Sequence, residues 1–165
     1  MRIVFLFMLC LGLLQAGSFP VNITPHLKDN CFMGIKILDQ KQLSFAHIGG
    51  IKFSEISDLA YYQKVEKLFL VSDEGKLFTF NARFTEKIED FEPLTAAKLT
   101  KKKGKRFKKW RQDSEGMTLD GKGRLLISFE GRAKIGWFHK NSNSYGNMLS
   151  LIHISEPTRL LSISY

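Results

Sequence analysis

Six carboxylate side chains stand beside glycines or turn sequences in two similar stretches of the chain: Asp58, Asp73, Glu74, Asp113, Glu115 and Glu130. Calcium prefers six to eight oxygen ligands, which carboxylates and main-chain carbonyls on loops supply. These acids are therefore candidate metal ligands, provided that the fold brings them together. Acidic residues beside glycine also cap turns and face water, and the sequence leaves that alternative open.

Other catalytic arrangements find no support in the sequence. His26, His47 and His139 are scattered along the chain, and no Gly-x-Ser-x-Gly motif occurs. The spacing of Cys and His that is typical of a zinc site is also absent. Outside the apolar N-terminal segment Cys31 is the sole cysteine, so the sequence predicts no internal disulfide. Of the site types considered, only a site built from carboxylates has support in the sequence.

Short strands separated by turns dominate the chain from residue 32 to residue 148. The stretch "ISDLAYY" is followed by "LFLVSD", the turn "EGK" and "LFTFNARF". The same order returns later as "EGMTLD", "GKG", "RLLISFE", "GRAK" and "IGWFHK". Glycine accepts the positive φ that tight turns require, so these patterns predict antiparallel hairpins in an all-β protein.

The two stretches also resemble each other residue by residue. Ser57-Asp58 matches Ser114-Glu115 at an offset of 57, and the segment from Ser72 matches that from Ser128 at an offset of 56. A repeat of this kind predicts an incomplete β-propeller of about two blades, each an antiparallel meander. A fragment of a β-sandwich is the alternative architecture.

The excess positive charge belongs to one segment. The net charge is +9, and residues 98–111, "KLTKKKGKRFKKWR", contain nine Lys and Arg without an acid. The remaining Lys and Arg equal the 16 acidic residues in number. We therefore expect no nucleic-acid partner for the protein as a whole, although this basic segment could contact an anionic surface of the cell envelope.

Both termini differ from the rest of the chain. Residues 1–18 combine Arg2, an apolar run and the small residues Ala16, Gly17 and Ser18, which predicts a secretory signal peptide and an exported protein, periplasmic or extracellular. Residues 149–165 resemble the translation of a common transposase sequencing adaptor, so we expect a non-native tail there. Residues 19–148 are then the N-terminal part of one longer domain.

Four segments of the chain together resemble the esterase-like, phytase-like β-propeller family. They are "GGIKFSEISDLAYY", "LFLVSDEGKLFTF", "DSEGMTLDGKGRLLISFEG" and "KIGWF", in the order typical of the family. The sequence departs from the family pattern at Ser114, where Pro is commoner, and in its unusually basic segment before Asp113.

This resemblance implies a Ca²⁺-dependent hydrolase of phosphoric esters, acting on a phosphorylated small molecule or another ester. Lys76 and Arg132, just after the Glu-Gly turns, are then candidates to neutralise phosphate oxygens. The resemblance also implies that the active protein is longer, so we expect this chain alone to be inactive. A non-catalytic propeller that binds a partner in the cell envelope is the alternative function.

Overall fold

The computed structural model describes residues 16–24, 26, 28–101, 105–107, 112–130, 134–138 and 148–150. Within these residues the regular elements are β-strands and two short 3₁₀ turns, at Lys28–Asn30 and Gln63–Val65. The predicted all-β class is confirmed. None of the described residues lies in a helix that is long and apolar enough to span a bilayer. Of the predicted signal peptide, residues 1–15 lie outside the described residues.

Six short strands near the N-terminus pair as antiparallel ribbons. They are β1 (Gly17–Pro20) with β4 (Lys41–Ser44), β2 (Cys31–Phe32) with β3 (Ile35–Lys36), and β5 (His47–Ile48) with β6 (Ile51–Lys52). Apolar residues of the segment from β4 to Phe53 pack onto the sheet that follows. This segment therefore covers one face of that sheet.

The first meander is a four-stranded antiparallel sheet whose strands lie side by side in chain order. It consists of β7 (Ile56–Tyr62), β8 (Lys67–Ser72), β9 (Lys76–Phe84) and β10 (Ile88–Lys98). Between β8 and β9, the Gly75 N–H donates to the Ser72 carbonyl at 2.9 Å, and Gly75 has a φ of 68°. That φ lies in the left-handed region, which explains the glycine of the "DEG" turn.

The second meander repeats this arrangement with β11 (Ser114–Leu119), β12 (Leu125–Phe129), β13 (Lys134–Phe138) and β14 (Met148–Ser150). The Asp120 carboxylate organises the β11–β12 turn, since it accepts the backbone N–H groups of Lys122 and Arg124 at 3.0 and 2.6 Å. Strand β14 contains the first two residues of the predicted tail, and residues 151–165 lie outside the described residues.

Two apolar clusters hold these layers together. One lies between the two meanders and includes Phe69, Val71, Ile127 and Phe129, together with Phe107 from the basic segment. The other lies on the opposite face of the first meander, against the N-terminal strands. Because side chains alternate along a strand, the continuous apolar run of β8 supplies both clusters.

The meanders meet at their first strands and expose their acidic turns at one end. Strand β7 lies against β11, and the Ser57 hydroxyl donates to the Ser114 carbonyl at 2.6 Å. At this end β8 stops at Ser72, β12 stops at Phe129 and β11 begins. We call it the acidic end.

Candidate metal site at the acidic end

A β-bulge sets the position of Glu115. Ser114 pairs with Phe129 and Gly116 pairs with Ser128, so Glu115 is the extra residue between the two pairs. Such a bulge redirects the side chain of the inserted residue. Glu115 is consequently exposed near the start of β11, although Ser114 and Met117 in the same strand are buried.

Asp113 and Glu130 flank this bulge on the two strands. The Glu130 N–H donates to the Asp113 carbonyl at 3.0 Å, which fixes the two residues opposite each other. Carboxylate oxygens of Asp113, Glu115 and Glu130 all lie within 4.8 Å of one another. Asp113 is half-buried, while Glu115 and Glu130 are exposed. The fold thus brings three of the six predicted ligands together.

The electrostatics of this cluster favour a bound cation. Partial removal from water raises the pKa of Glu115, and the negative charges of Asp113 and Glu130 raise that pKa further. A hydrogen bond with Asp113 and the charge of Asp73 act in the same direction. Carboxylates crowded in this way repel each other, and a divalent cation between them would relieve the repulsion.

Asp73 adds a fourth carboxylate near the cluster. Its N–H donates to the Glu55 carbonyl at 3.0 Å, which is the counterpart in the first meander of the Glu130–Asp113 bond. Its Oδ1 is buried and accepts no hydrogen bond from the described residues. A buried carboxylate oxygen without a donor is costly, whereas a cation ligand of this type is ordinary. The donor set and this oxygen therefore fit a hard cation such as Ca²⁺.

The side chains of Glu74 and Lys76 are paired with each other. Their side chains form an ion pair, and the Lys76 ammonium also donates to the Lys52 carbonyl at 3.3 Å. The hydrogen bond from Lys76 lowers the pKa of Glu74. The structure thus engages Glu74 and Lys76 with one another, outside the three-acid cluster. Arg132, the other predicted phosphate contact, lies outside the described residues.

Asp58 joins the two meanders. One of its carboxylate oxygens accepts the N–H of Met117 in β11 at 2.6 Å, and the other accepts its neighbour Leu59 N–H at 2.7 Å. A Cβ at Gly116 would lie 2.8 Å from the Ser128 hydroxyl oxygen, so the bulge leaves little room for a side chain there, whereas its distance to the Asp58 carboxylate would be an ordinary 3.8 Å. Asp58 therefore positions the bulge that carries Glu115.

Three serines, which sequence reasoning did not identify as site residues, complete this junction. The Ser114 hydroxyl donates to the Ser72 carbonyl at 2.5 Å, and the Ser57 hydroxyl donates to the Ser114 carbonyl. Ser72 and Ser114 are fully buried. The signal was present in the sequence, because Ser57 and Ser114 match in the repeat and each precedes an acid.

Comparison with known families gives one match that contains this site. A family model described as "Phytase-like: Esterase-like activity of phytase" matches residues 51–156, which is more than half of the 165-residue chain. The chain belongs to this family. The match contains both meanders and all the predicted site residues, and it extends into the first residues of the predicted tail. No curated protein matches the chain.

Proposed function

We propose that this chain is part of an exported phytase-like protein that hydrolyses phosphoric esters with the help of Ca²⁺ at the acidic end. The observation that supports the proposal most is the family match over the region that contains the three-acid cluster. In this proposal Asp113, Glu115 and Glu130 hold the cation and Asp73 assists, while Asp58 and Glu74 have supporting roles.

The proposed reaction needs a positioned phosphate and an attacking water. The water oxygen bonds to phosphorus, the ester P–O bond breaks, and the alcohol leaves with a proton. Bound Ca²⁺ would polarise the P–O bonds and lower the pKa of the water. Lys76 and Arg132 remain the proposed phosphate contacts, and Lys76 would then exchange Glu74 for a phosphate oxygen.

We further propose that the two meanders are neighbouring blades of a β-propeller. Two observations support this arrangement: each sheet is a four-stranded antiparallel meander, and the two pack together with their first strands adjacent. In a propeller the first strands lie around the central channel, so equivalent acids gather at one channel mouth. Further blades would then belong to a longer protein, and this chain alone would be inactive.

The N-terminal sequence supports a proposal for the place where the protein acts. We propose that residues 1–18 direct export and are removed, which takes Gly17 and Ser18 of β1 with them, so that residues 19–148 belong to the domain in the periplasm or outside the cell. Mass spectrometry of the secreted protein tests this directly. A mature N-terminus close to residue 19 is expected, and an intact Met1 on exported protein would contradict the assignment.

A phosphatase assay of the longer protein tests the enzymatic proposal. Activity on a phosphate monoester should require Ca²⁺, disappear with a chelator and return when Ca²⁺ is restored. The Glu115→Gln variant should lose most of this activity, because it removes one anionic ligand. The matched Glu86→Gln variant changes an exposed acid in the β9–β10 turn and should retain it. Activity unaffected by chelation would contradict the calcium mechanism.

The basic segment 98–111 favours a second candidate function, a non-catalytic propeller that binds an anionic surface of the cell envelope. Under this alternative the longer protein sediments with vesicles of anionic lipid and shows no phosphatase activity at any Ca²⁺ concentration. Activity in the same preparation would exclude the non-catalytic function.

A further inference from the structure

The β2–β3 hairpin stands apart from the two meanders and exposes its apolar residues. Strands β2 and β3 pair with each other and, among the described residues, with no other strand. The Ile37 N–H donates to the Asn30 carbonyl at 2.8 Å and closes the base of the hairpin. Phe32, Met33 and Ile35 are 57%, 86% and 69% exposed. We call these three side chains the apolar tip.

The turn of this hairpin is unfavourable for the residue that it presents to water. Phe32 pairs with Ile35, so Met33 and Gly34 form a two-residue turn, with φ values of 48° and 82°. Turns with two positive φ values are usually formed by Asn-Gly, because a residue such as methionine rarely adopts the left-handed region. Met33 is also the most exposed of the large apolar residues that the structure describes. An unfavourable backbone conformation under an exposed apolar side chain points to a function of that side chain outside the folded core.

Positive charge flanks the apolar tip, on a chain whose net charge is +9. Lys36 directly follows Ile35 and is exposed. The nearest acids in sequence lie away from the tip. Asp29 precedes the ribbon at its base, and the Asp39 carboxylate accepts the backbone N–H of Ile88 in β10 at 2.8 Å. The charge next to the tip is therefore positive, and a lysine in this position can contact an anionic headgroup while its stem lies along apolar surroundings.

The size and the shape of the apolar tip favour a lipid bilayer over a protein partner. The tip is the convex end of a hairpin, and three fully exposed side chains of aromatic size would supply about 600 Å² at most. A stable protein interface buries about 800 Å² on each partner and needs a surface of complementary shape. A bilayer needs no such surface, because apolar side chains enter the boundary between headgroups and acyl chains while cations stay among the headgroups.

We propose that the apolar tip inserts into the surface of an anionic lipid bilayer and attaches the exported protein to it, with Lys36 at the level of the lipid headgroups. This inference does not depend on the proposed hydrolase function. It also differs from the second candidate function, in which the basic segment contacts an anionic surface through its charge, because here apolar side chains leave water. Attachment by so few side chains is reversible.

Co-sedimentation with vesicles of phosphatidylcholine and phosphatidylglycerol tests the insertion, with the chain purified after export so that residues 1–18 do not bind lipid themselves. Phe32→Ser/Met33→Ser/Ile35→Ser should weaken binding at least about thirtyfold, because three apolar side chains no longer leave water on binding. The control Leu59→Ser/Val65→Ser/Leu94→Ser changes three other exposed apolar residues and should bind like the wild type. Equal binding of the wild type and the tip variant, or an equal loss in the control, would overturn the proposal.

The variant Lys36→Gln tests the contribution of charge. It should bind the same vesicles about fivefold more weakly, and it should bind vesicles of phosphatidylcholine alone like the wild type. Unchanged binding to the anionic vesicles would overturn the placement of Lys36 among the headgroups.

The variant Met33→Asn guards against misfolding of the triple variant. It gives the turn the residue that this turn geometry favours, so its denaturant midpoint should equal or exceed that of the wild type. Its binding to the anionic vesicles should nevertheless be about tenfold weaker. Binding equal to that of the wild type would overturn the proposal.

Tryptophan fluorescence measures whether the tip leaves water. In the Met33→Trp variant, the added fluorescence should be quenched by anionic vesicles whose phosphatidylcholine is brominated in the upper part of its acyl chains. The control Leu94→Trp places the same reporter at another exposed apolar position and should not be quenched. Absence of quenching at position 33 on bound vesicles would overturn the proposal.

Two further outcomes would assign the tip or the attachment differently. If the wild type sediments as a dimer without lipid and the tip variant as a monomer with unchanged vesicle binding, the tip is a protein interface and the inference is wrong. If Lys105→Gln/Arg106→Gln abolishes vesicle binding and the tip variant does not, the basic segment alone serves the anionic surface and the inference is again wrong.

Discussion

Removal of the Asp58 carboxylate should detach β11 locally from the first meander. In the Asp58→Ala variant, the N–H of Met117 loses the acceptor that lies 2.6 Å away, and that of Leu59 loses the one at 2.7 Å. Hydrogen bonds to charged acceptors contribute about 1.5 to 3 kcal/mol each, and the bond within the Asp58–Leu59 segment is the less valuable. A loss of about 2 kcal/mol in local stability is therefore expected, which corresponds to about thirtyfold faster exchange of the Met117 amide hydrogen.

Hydrogen exchange measured by NMR resolves this effect at single amides. The Asp58→Asn variant keeps one neutral acceptor, so its Met117 amide should exchange only about fivefold faster than in the wild type. Glu86→Gln removes the same charge at an exposed position and should leave the Met117 amide unchanged. The amide of Ile127 in β12 serves as an internal reference. If Met117 and Ile127 accelerate equally in Asp58→Ala, the loss is global and the positioning role is refuted.

Three further predictions concern the same end of the molecule. Because the pKa of Glu115 is raised in the folded protein, the free energy of unfolding of the wild type should fall as pH rises through that pKa, and Glu115→Gln should abolish this fall. Urea titrations from about pH 4 to about pH 8 measure the pH dependence of stability in both proteins. The same pH dependence in Glu115→Gln as in the wild type would contradict the prediction. Gly116→Ala should cost about 1 to 3 kcal/mol, because its Cβ would lie 2.8 Å from the Ser128 hydroxyl oxygen. Adding Ser128→Ala should recover most of that loss, and additive destabilisation in the double variant would show that the contact is not responsible. Phe107→Ala should cost about 3 kcal/mol because the ring stacks on Phe129 in the core, and a denaturant midpoint equal to that of the wild type would show that the basic segment is not anchored.

The pattern of short strands and glycine turns in the sequence predicted the positions of the strands in both sheets well. Both hairpin series lie where the alternating patterns and glycine turns indicated, since side-chain period and turn chemistry are local properties. Five phenylalanines of these strands are buried in the core: Phe69, Phe78, Phe80, Phe129 and Phe138. Phe53 and Trp137 are half-buried, and the Arg124 guanidinium lies 3.9 Å from the centre of the Trp137 ring.

The residue-by-residue alignment of the repeat was less accurate than its topology. After the bulge in each first strand, Asp58 pairs with Val71 and Gly116 pairs with Ser128, so the second strands match at an offset of 57 rather than 56. In consequence the counterpart of Glu130 is Asp73, through their matching backbone hydrogen bonds, and not Glu74. Register depends on turn length and bulges, and the motif "S-x-E-G" alone does not encode them.

The different roles of the acidic residues could not be predicted from the sequence either. Asp58 and Glu115 both follow a serine in the repeat, yet Asp58 binds backbone N–H groups and Glu115 faces the other acids. This difference arises because one meander packs on the other, and a local sequence pattern does not encode such long-range contacts. The same packing places Phe107 in the core, although its neighbours in sequence are lysines and arginine.

If the acidic cluster binds Ca²⁺, a calcium titration of the full chain should detect it. The wild type should bind Ca²⁺ saturably, and both Glu115→Gln and Glu130→Gln should weaken binding about tenfold or more, because each removes an anionic oxygen ligand from the cluster. Glu86→Gln should bind like the wild type. Absence of saturable binding, or an affinity that is the same in all four proteins, would contradict the account.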